Sequence, residues 1–357
     1  QTYYMAGDVD RVDASSAIVA HHLLVSDQIA RVFKSIGSDD VETVIIMGPN
    51  HFSSGVSPAQ TTVGAWETPY GLVYTDDELV NKLVGDVEIV KDEFATFEIE
   101  HSIGAVTPFI AKSFPNAKIV PIVIHESLIP EEADRIGEYL AEHYKDTVVI
   151  SSIDMSHNVP IAVQEYHDAV TRRTLAAGNL DLTLEIDANM VLRTMFEVNE
   201  QRGAQNWVEM YHGSSRLMNA TKDWEENTSH TMGYFEKGEP VTSSFASLHV
   251  VGDIMLDRDV RRLIDLNGVD YPWEKVGRYL MGSHRTIGNL EGTVSDRAGL
   301  YTVDPPFRFT FTPESVERMH ELIDVVSLAN NHSSDFASAG LAETKARLDE
   351  LEIPWFG

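Results

Sequence analysis

Thr43-Val44-Ile45-Ile46-Met47-Gly48-Pro49-Asn50-His51 reads as a buried strand that stops in a turn and delivers a histidine. The apolar run over 43–48 has strand length, and Gly48-Pro49 is a turn signal. The same pattern recurs on both sides of it. Residues 16–20 form a short apolar run before His21 and His22, 118–124 repeats it, and 147–152 runs into Asp154 and His157. Helical periods fall between these strands, over 26–36, 130–144 and 161–177. Asp187 reads as the cap of a further helix that runs to about Arg202 and is stopped by Gly203. Residues 207–221 read as helix and 230–235 as a closing strand. Alternation of this kind predicts an α/β sheet with covering helices.

Composition bounds what such a fold can do. The 357 residues exceed what one hydrophobic core usually serves, so two domains are expected. The boundary is placed where Lys237-Gly238-Glu239-Pro240 and Thr242-Ser243-Ser244 turn the chain polar, giving domains 1–240 and 246–357. A second α/β run follows: strands over 247–251, 286–290, 307–311 and 324–328, with helices over 257–266, 313–322 and 338–351. The formal net charge is −29, from 56 acidic and 27 basic residues. A chain this acidic repels phosphate backbones, which argues against nucleic acid as a partner. There is no cysteine, so disulfides, zinc–thiolate sites and cysteine nucleophiles are excluded. A metal here must be held by His, Asp, Glu or Asn, which favours iron, manganese, zinc, magnesium or calcium over copper(I). The apolar runs are far shorter than the ~20 residues that span a bilayer. The sequence opens on Gln1, which leaves an upstream leader or membrane tether open.

Three polar clusters stand at strand ends: His21-His22, Asn50-His51 and Asp154-His157. Ligands in open α/β sheets bind outside the carboxyl ends of strands, and imidazole is the commonest nitrogen ligand of first-row metals. Each histidine taken alone reads first as a satisfied hydrogen-bonding residue; the three together point to one metal-capable crevice. Glu100-His101-Ser102 reads as pocket lining, or as a cap in which Ser102 starts the next helix.

These motifs carry a resemblance. Ile18-Val19-Ala20-His21, Met47-Gly48-Pro49-Asn50-His51, Glu100-His101-Ser102-Ile103 with Pro108-Phe109, and Ile153-Asp154-Met155-Ser156-His157 resemble, in order, the motifs of the Memo family, also called AmmeMemoRadiSam system protein B. That family is similar in fold to class III extradiol dioxygenases, whose iron is held by two histidines and one carboxylate. The resemblance implies His21 and His51 as metal ligands, with His157 and Asp154 as the catalytic acid/base set. The family's third ligand is the cysteine of a Cys-Gly pair that opens a helix. Aligning Leu217-Met218-Asn219-Ala220 with the end of that helix puts Glu209 at this position. Matching the glycine to Gly203 puts Arg202 there and gives no ligand, and His212 is a rival one turn away. Where the family has Gly-Tyr after the first histidine, this chain has Leu23-Leu24, and Phe52 replaces the second histidine of its Pro-Ser-His-His motif.

The second run has its own set. Val251-Gly252-Asp253, Gly288-Asn289-Leu290-Glu291-Gly292 and Leu328-Ala329-Asn330-Asn331-His332 each place a polar group directly after an apolar strand. In order, and with the closing Leu-Xaa-Xaa-Leu-Xaa-Ile-Pro, they resemble the CapA family of capsule and poly-γ-glutamate synthesis, similar in fold to calcineurin-type metallophosphoesterases. The resemblance implies Asp253, Glu291, Asn331 and His332 as metal-facing residues, within the first part only of such a domain. The function expected is that of a metal-dependent enzyme, with iron, zinc or manganese in the first domain, acting by redox or hydrolytic chemistry on a small molecule. The alternatives are a role in assembling a surface polymer, and a binding or scaffolding module without catalysis. A prokaryotic cell-surface setting is expected.

Overall fold

Alternate residues of the apolar strands go to opposite faces of one sheet. Ile18, Ile45, Met47, Val120, Ile122 and Val149 join one buried cluster, while Ala17, Val19, Val44, Ile46, Ile119 and Ile150 join the other. A strand buried on both faces reads as a continuous apolar run, which is why the period was hidden in sequence. In the computed structural model, which describes residues 2–216, 227–296 and 308–357, the chain divides into two units, Gln1–Phe245 and Ala246–Gly357.

The first unit contains β1 (Ser16–Val19), β2 (Thr43–Pro49), β3 (Ala59–Thr61), β4 (Ala65–Thr68), β5 (Gly71–Tyr74), β6 (Val90–Asp92), β7 (Lys118–Ile124), β8 (Val148–Ser152), β9 (Asn206–Ser214) and β10 (Ser229–Glu236). Eight of them form a sheet in the order β6-β3-β7-β2-β8-β1-β10-β9, and β4 and β5 make a separate hairpin. The centre, β7-β2-β8-β1, is parallel. β10 runs antiparallel to β1, and β9 antiparallel to β10. The chain passes from β1 over the place of β8 to β2, then to β7 beyond it, and returns with β8 between. The carboxyl ends of β2, β8 and β1 are therefore neighbours at the point where the strand order reverses.

Helices Pro130–His143 and Asn189–Arg202 cover the first face. They approach closely at Gly137, where an added Cβ would lie 2.6 Å from Glu197 Cβ and 2.8 Å from Thr194 O. A fork of two bonds from Arg193 to Asp134, both 2.7 Å, pins the pair. Asn189–Arg202 ends where Gly203 adopts φ +61, a conformation that glycine enters without a Cβ penalty.

Two expectations are corrected here. Part of the stretch expected to be helical from 207 is the edge strand β9; residues 217–221 of it lie outside the described residues, as do the Leu217-Met218-Asn219-Ala220 used for alignment. Asp187 does not cap its helix. Ala188 occupies the cap position, and the helix starts at Asn189.

The second unit has a parallel sheet of β11 (Leu248–Ile254), β12 (Arg285–Leu290), β15 (Val325–Ser327) and β16 (Trp355–Phe356), in that order, and a small pair, β13 (Thr293–Val294) with β14 (Thr310–Phe311). Phe307, the expected start of that last strand, lies outside the described residues. Leu290, Phe311, Val316, Met319 and Val326 lie at the centre of its core. Among the described residues, no helix is long and apolar enough to cross a membrane.

Candidate metal centre

β1, β2 and β8 end side by side, and the residues just past them meet. His21 follows β1 and is buried; His51 follows β2 and is partly open. Their rings stand edge to face at 4.9 Å. Each ring is oriented by a partner on its Nδ1. Ser152 Oγ donates to Ser102 O at 2.7 Å, so it accepts from His21 Nδ1 at 3.1 Å. Glu100 Oε1 lies 2.8 Å from His51 Nδ1, and a carboxylate can only accept. In both rings Nε2 is thereby left as the atom that gains or loses a proton.

Both Nε2 atoms face Asp187 Oδ2, at 3.2 Å from His21 and 3.7 Å from His51. The Asp154 backbone N–H donates to the same oxygen at 3.0 Å and fixes its direction. Asp154 Oδ2 lies 3.5 Å from His21 Nε2, and its Oδ1 lies 3.3 Å from Nδ1 of the fully buried His230. His101 stacks on His51 at 4.3 Å, so the residue expected only to line the pocket offers a third imidazole. Two groupings of metal-ligating side chains result, His21-His51-His101 and His21-Asp154-Asp187, each offering atoms within 4.8 Å of one another.

Electrostatics follow from two buried acids, Glu100 and Asp154, and the half-buried Asp187 around two imidazoles. Burial opposes charge on His21, but Asp154 and Asp187 outweigh it and raise its pKa. Burial acts the same way on His51, yet hydrogen bonds to Asp187 and Glu100 lift it to about 9. Burial alone would raise Glu100; bonds from His51 and the backbone of Ser102 bring it to about 2. Against the same penalty, His21 and His230 hold Asp154 below the usual carboxylate range. Protons thus sit where carboxylates converge. Asp187 Oδ1 is buried without a hydrogen-bond donor. Hard, oriented donors with an unsatisfied buried oxygen fit a divalent cation.

The expected residues divide on this geometry. His21, His51 and Asp154 come together. The backbone of His157 donates to Glu185 Oε2 at 3.0 Å, and its charge bears on Asp154. Glu209 is not brought to the cluster. It lies on β9, and both its oxygens accept from Arg172 at 2.7 Å. His212, its rival, sits 3.7 Å from Asp168. The carboxylate that does reach the histidines is Asp187, two residues ahead of the helix Asn189–Arg202. Its only signal in sequence was its place just ahead of that helix.

Residues 12–204, more than half of the chain, match the Memo-like protein family. The chain belongs to that family. Similar relatives are MEMO1 family proteins of two archaea. The Pyrobaculum aerophilum protein is 33% identical over 166 residues, 46% of this chain and 56% of its own length. The Caldivirga maquilingensis protein is 37% identical over 159 residues, 43% of this chain and 54% of its own. This Memo-like chain thus spans about half the length of the curated relatives it matches. A solved structure of an uncharacterized protein from Escherichia coli K12 aligns at TM-score 0.38 and 12% identity, over 61% of this chain and 98% of that one. Residues 247–357 match the bacterial capsule synthesis protein PGA_cap.

In that second unit, Asn289 Nδ2 donates to Asp253 Oδ1 at 2.7 Å, and Asn330 Nδ2 donates to Asn289 Oδ1 at 3.0 Å. His332 lies with Nδ1 3.0 Å from Asp335 Oδ2 and Nε2 3.8 Å from Glu291 Oε1. Asn330, not the expected Asn331, ties these strand ends together; Asn331 is exposed.

Proposed function

We propose that the first unit is a metal-dependent enzyme whose ion is held by His21 Nε2, His51 Nε2 and Asp187 Oδ2, with Asp154 or His101 as the further neighbour. The carrying observation is the pair of Nδ1 partners, Ser152 and Glu100, which turn both Nε2 atoms toward one carboxylate oxygen. Two imidazoles and one carboxylate leave coordination positions open, and iron(II) in such a set supplies oxygen-activating, dioxygenase-like chemistry; zinc or manganese would supply Lewis-acid chemistry. The chain's own part is to orient and to move protons. His51 keeps its Nδ1 proton on Glu100, and His21 keeps its own on Ser152. His157 would be the group that takes or returns a substrate proton, while Asp154, kept ionised between His21 and His230 and in the field of His157, orients the imidazoles.

The test is elemental analysis of protein purified without chelator, as wild type, His51→Ala and Asp187→Ala. Near-stoichiometric iron, zinc or manganese in the wild type, lost in both variants, supports this reading. No metal in the wild type after reconstitution would overturn it in favour of a binding module.

A second reading concerns the other unit. The PGA_cap match and the Asp253-Asn289-Asn330-His332 chain support a part in surface-polymer synthesis, such as capsule or poly-γ-glutamate. Measuring surface polymer in cells that carry Asp253→Asn with His332→Ala tests it; unchanged polymer sinks it.

A further inference from the structure

His101 enters the metal centre by the device that orients the other two imidazoles. Glu100 Oε1, which accepts from His51 Nδ1 at 2.8 Å, lies 3.5 Å from His101 Nδ1. One carboxylate thus stands behind two rings, which stack on each other at 4.3 Å and 25°. With Ser152 Oγ at 3.1 Å from His21 Nδ1, all three histidines have a partner at Nδ1 and keep Nε2 for an ion, the arrangement in which outer groups orient metal-binding imidazoles. Capping of the helix His101–Gly104 accounts for the bond from Ser102 N to Glu100. It does not account for His101 standing beside both other rings.

The spacing suits coordination. One ligand atom from each of His21, His51 and His101 lies within 4.8 Å of the others. Around a tetrahedral zinc ion, at Zn–N distances of ~2.0–2.1 Å, ligand atoms sit about 3.4 Å apart. Side-chain rotation covers that difference, and His101 is the ring with room to rotate. Its side chain is 52% exposed, against 25% for His51 and 3% for His21.

A second set shares one member with the first. His21, Asp154 and Asp187 also bring ligand atoms within 4.8 Å of one another, with Asp187 Oδ2 3.2 Å and Asp154 Oδ2 3.5 Å from His21 Nε2. His21 Nε2 has a single lone pair to give, so the two sets are alternatives around that atom. Their chemistry differs. The first offers neutral nitrogens, which suit zinc and copper(II); the second adds charged oxygens, which suit manganese(II). Oδ1 of Asp154 and Oδ1 of Asp187 are both buried without a hydrogen-bond donor, so the oxygen set has acceptor capacity to spare.

We infer that the ligand added to His21, His51 and Asp187 follows the metal: His101 joins them on zinc or copper(II), and Asp154 joins them on manganese(II). His101 is then the residue that selects for nitrogen-preferring ions. The inference rests on the metal-site reading above and adds which ion each ligand serves.

The full chain is stripped with EDTA and titrated with zinc(II) and with manganese(II), as wild type, His101→Gln and Asp154→Asn. His101→Gln should weaken zinc about tenfold, the lower end of what losing a partner at a metal site costs, and leave manganese unchanged. Asp154→Asn should weaken manganese more than zinc. Copper(II) then counts nitrogens: the superhyperfine pattern of its EPR spectrum should show three in wild type and two in His101→Gln. The side chain of His101 is the most exposed of the three rings, so the metal-free melting temperature of His101→Gln should match wild type. If Asp154→Asn does not fold, the His101→Gln measurements decide alone. Equal loss of zinc and manganese in His101→Gln, loss of neither, or the same nitrogen count in both proteins would overturn the inference and leave the metal-site reading standing. A wild type that holds none of the three ions overturns both.

Discussion

Glu100 accepts from His51 Nδ1, from the His51 backbone at 2.7 Å and from Ser102 N at 2.8 Å, and its carboxylate is sealed from solvent. In metal-free protein this bond network makes stability depend on pH from both sides. Glu100 falls from 4.5 to about 2 on folding, so its contribution is complete above 4.5 and lost as pH drops toward 2. His51 rises from 6.5 to about 9, so its contribution is complete below 6.5 and lost as pH climbs through 9. Thermal melting in EDTA should therefore plateau between these limits and fall on either flank, and Glu100→Gln should flatten both flanks. A second comparison separates the two carboxylates that competed for the third-ligand role. Asp187→Ala should weaken metal binding by at least about tenfold, the scale at which even outer partners act. Glu209→Ala should leave it unchanged, because its charge is spent on Arg172. Equal effects in a metal titration would refute the assignment. His21 and His51 were legible in sequence because each directly follows a strand. Asp187 was legible only as a helix cap, because it follows a loop and not a strand, and only the fold brings it to the histidines.

At the scale of elements, the site depends on how closely β2 approaches the short helix His101–Gly104. Gly48 makes this possible: a Cβ there would lie 2.5 Å from Ser102 Oγ and 2.7 Å from Ser102 Cβ. Gly48→Ala should push that helix outward, costing about 1–3 kcal/mol as overpacking does. It should also loosen Glu100 from His51, so metal affinity and melting temperature fall together. A melting temperature that drops with no change in metal affinity would uncouple the two. The misread segment belongs to this scale as well. Trp207, Val208, Met210 and Tyr211 are spaced as a helix face would be, yet they lie on β9. The irregularity opposite Met232 and Gly233 pairs Tyr211 and Glu209 with successive residues of β10 and leaves Met210 between them. That extra residue breaks the two-residue alternation by which a strand is recognised. Strands without such an interruption, β2 and β7 among them, were readable from their apolar runs and the turns that end them.

For the whole molecule, the division at Phe245 and Ala246 separates a unit that carries both metal-capable groupings from one in which the described residues show none. Each has its own buried core, so each can unfold as a cooperative unit of its own. A ligand that binds only the native form of one unit stabilises that unit by RT ln(1 + [L]/Kd), about 2.7 kcal/mol at a hundredfold excess over Kd. Calorimetry of the intact chain should then resolve two transitions. EDTA should lower one of them, and the His51→Ala protein should show that lowered transition with or without added metal. The transition that EDTA leaves in place should respond to a core substitution such as Met319→Ala in the second unit, which removes a fully buried side chain at a cost of about 2–5 kcal/mol. If EDTA shifted both transitions equally, or if a single transition moved under either change, the units would be energetically coupled. The metal centre could then no longer be treated as the property of the first unit alone.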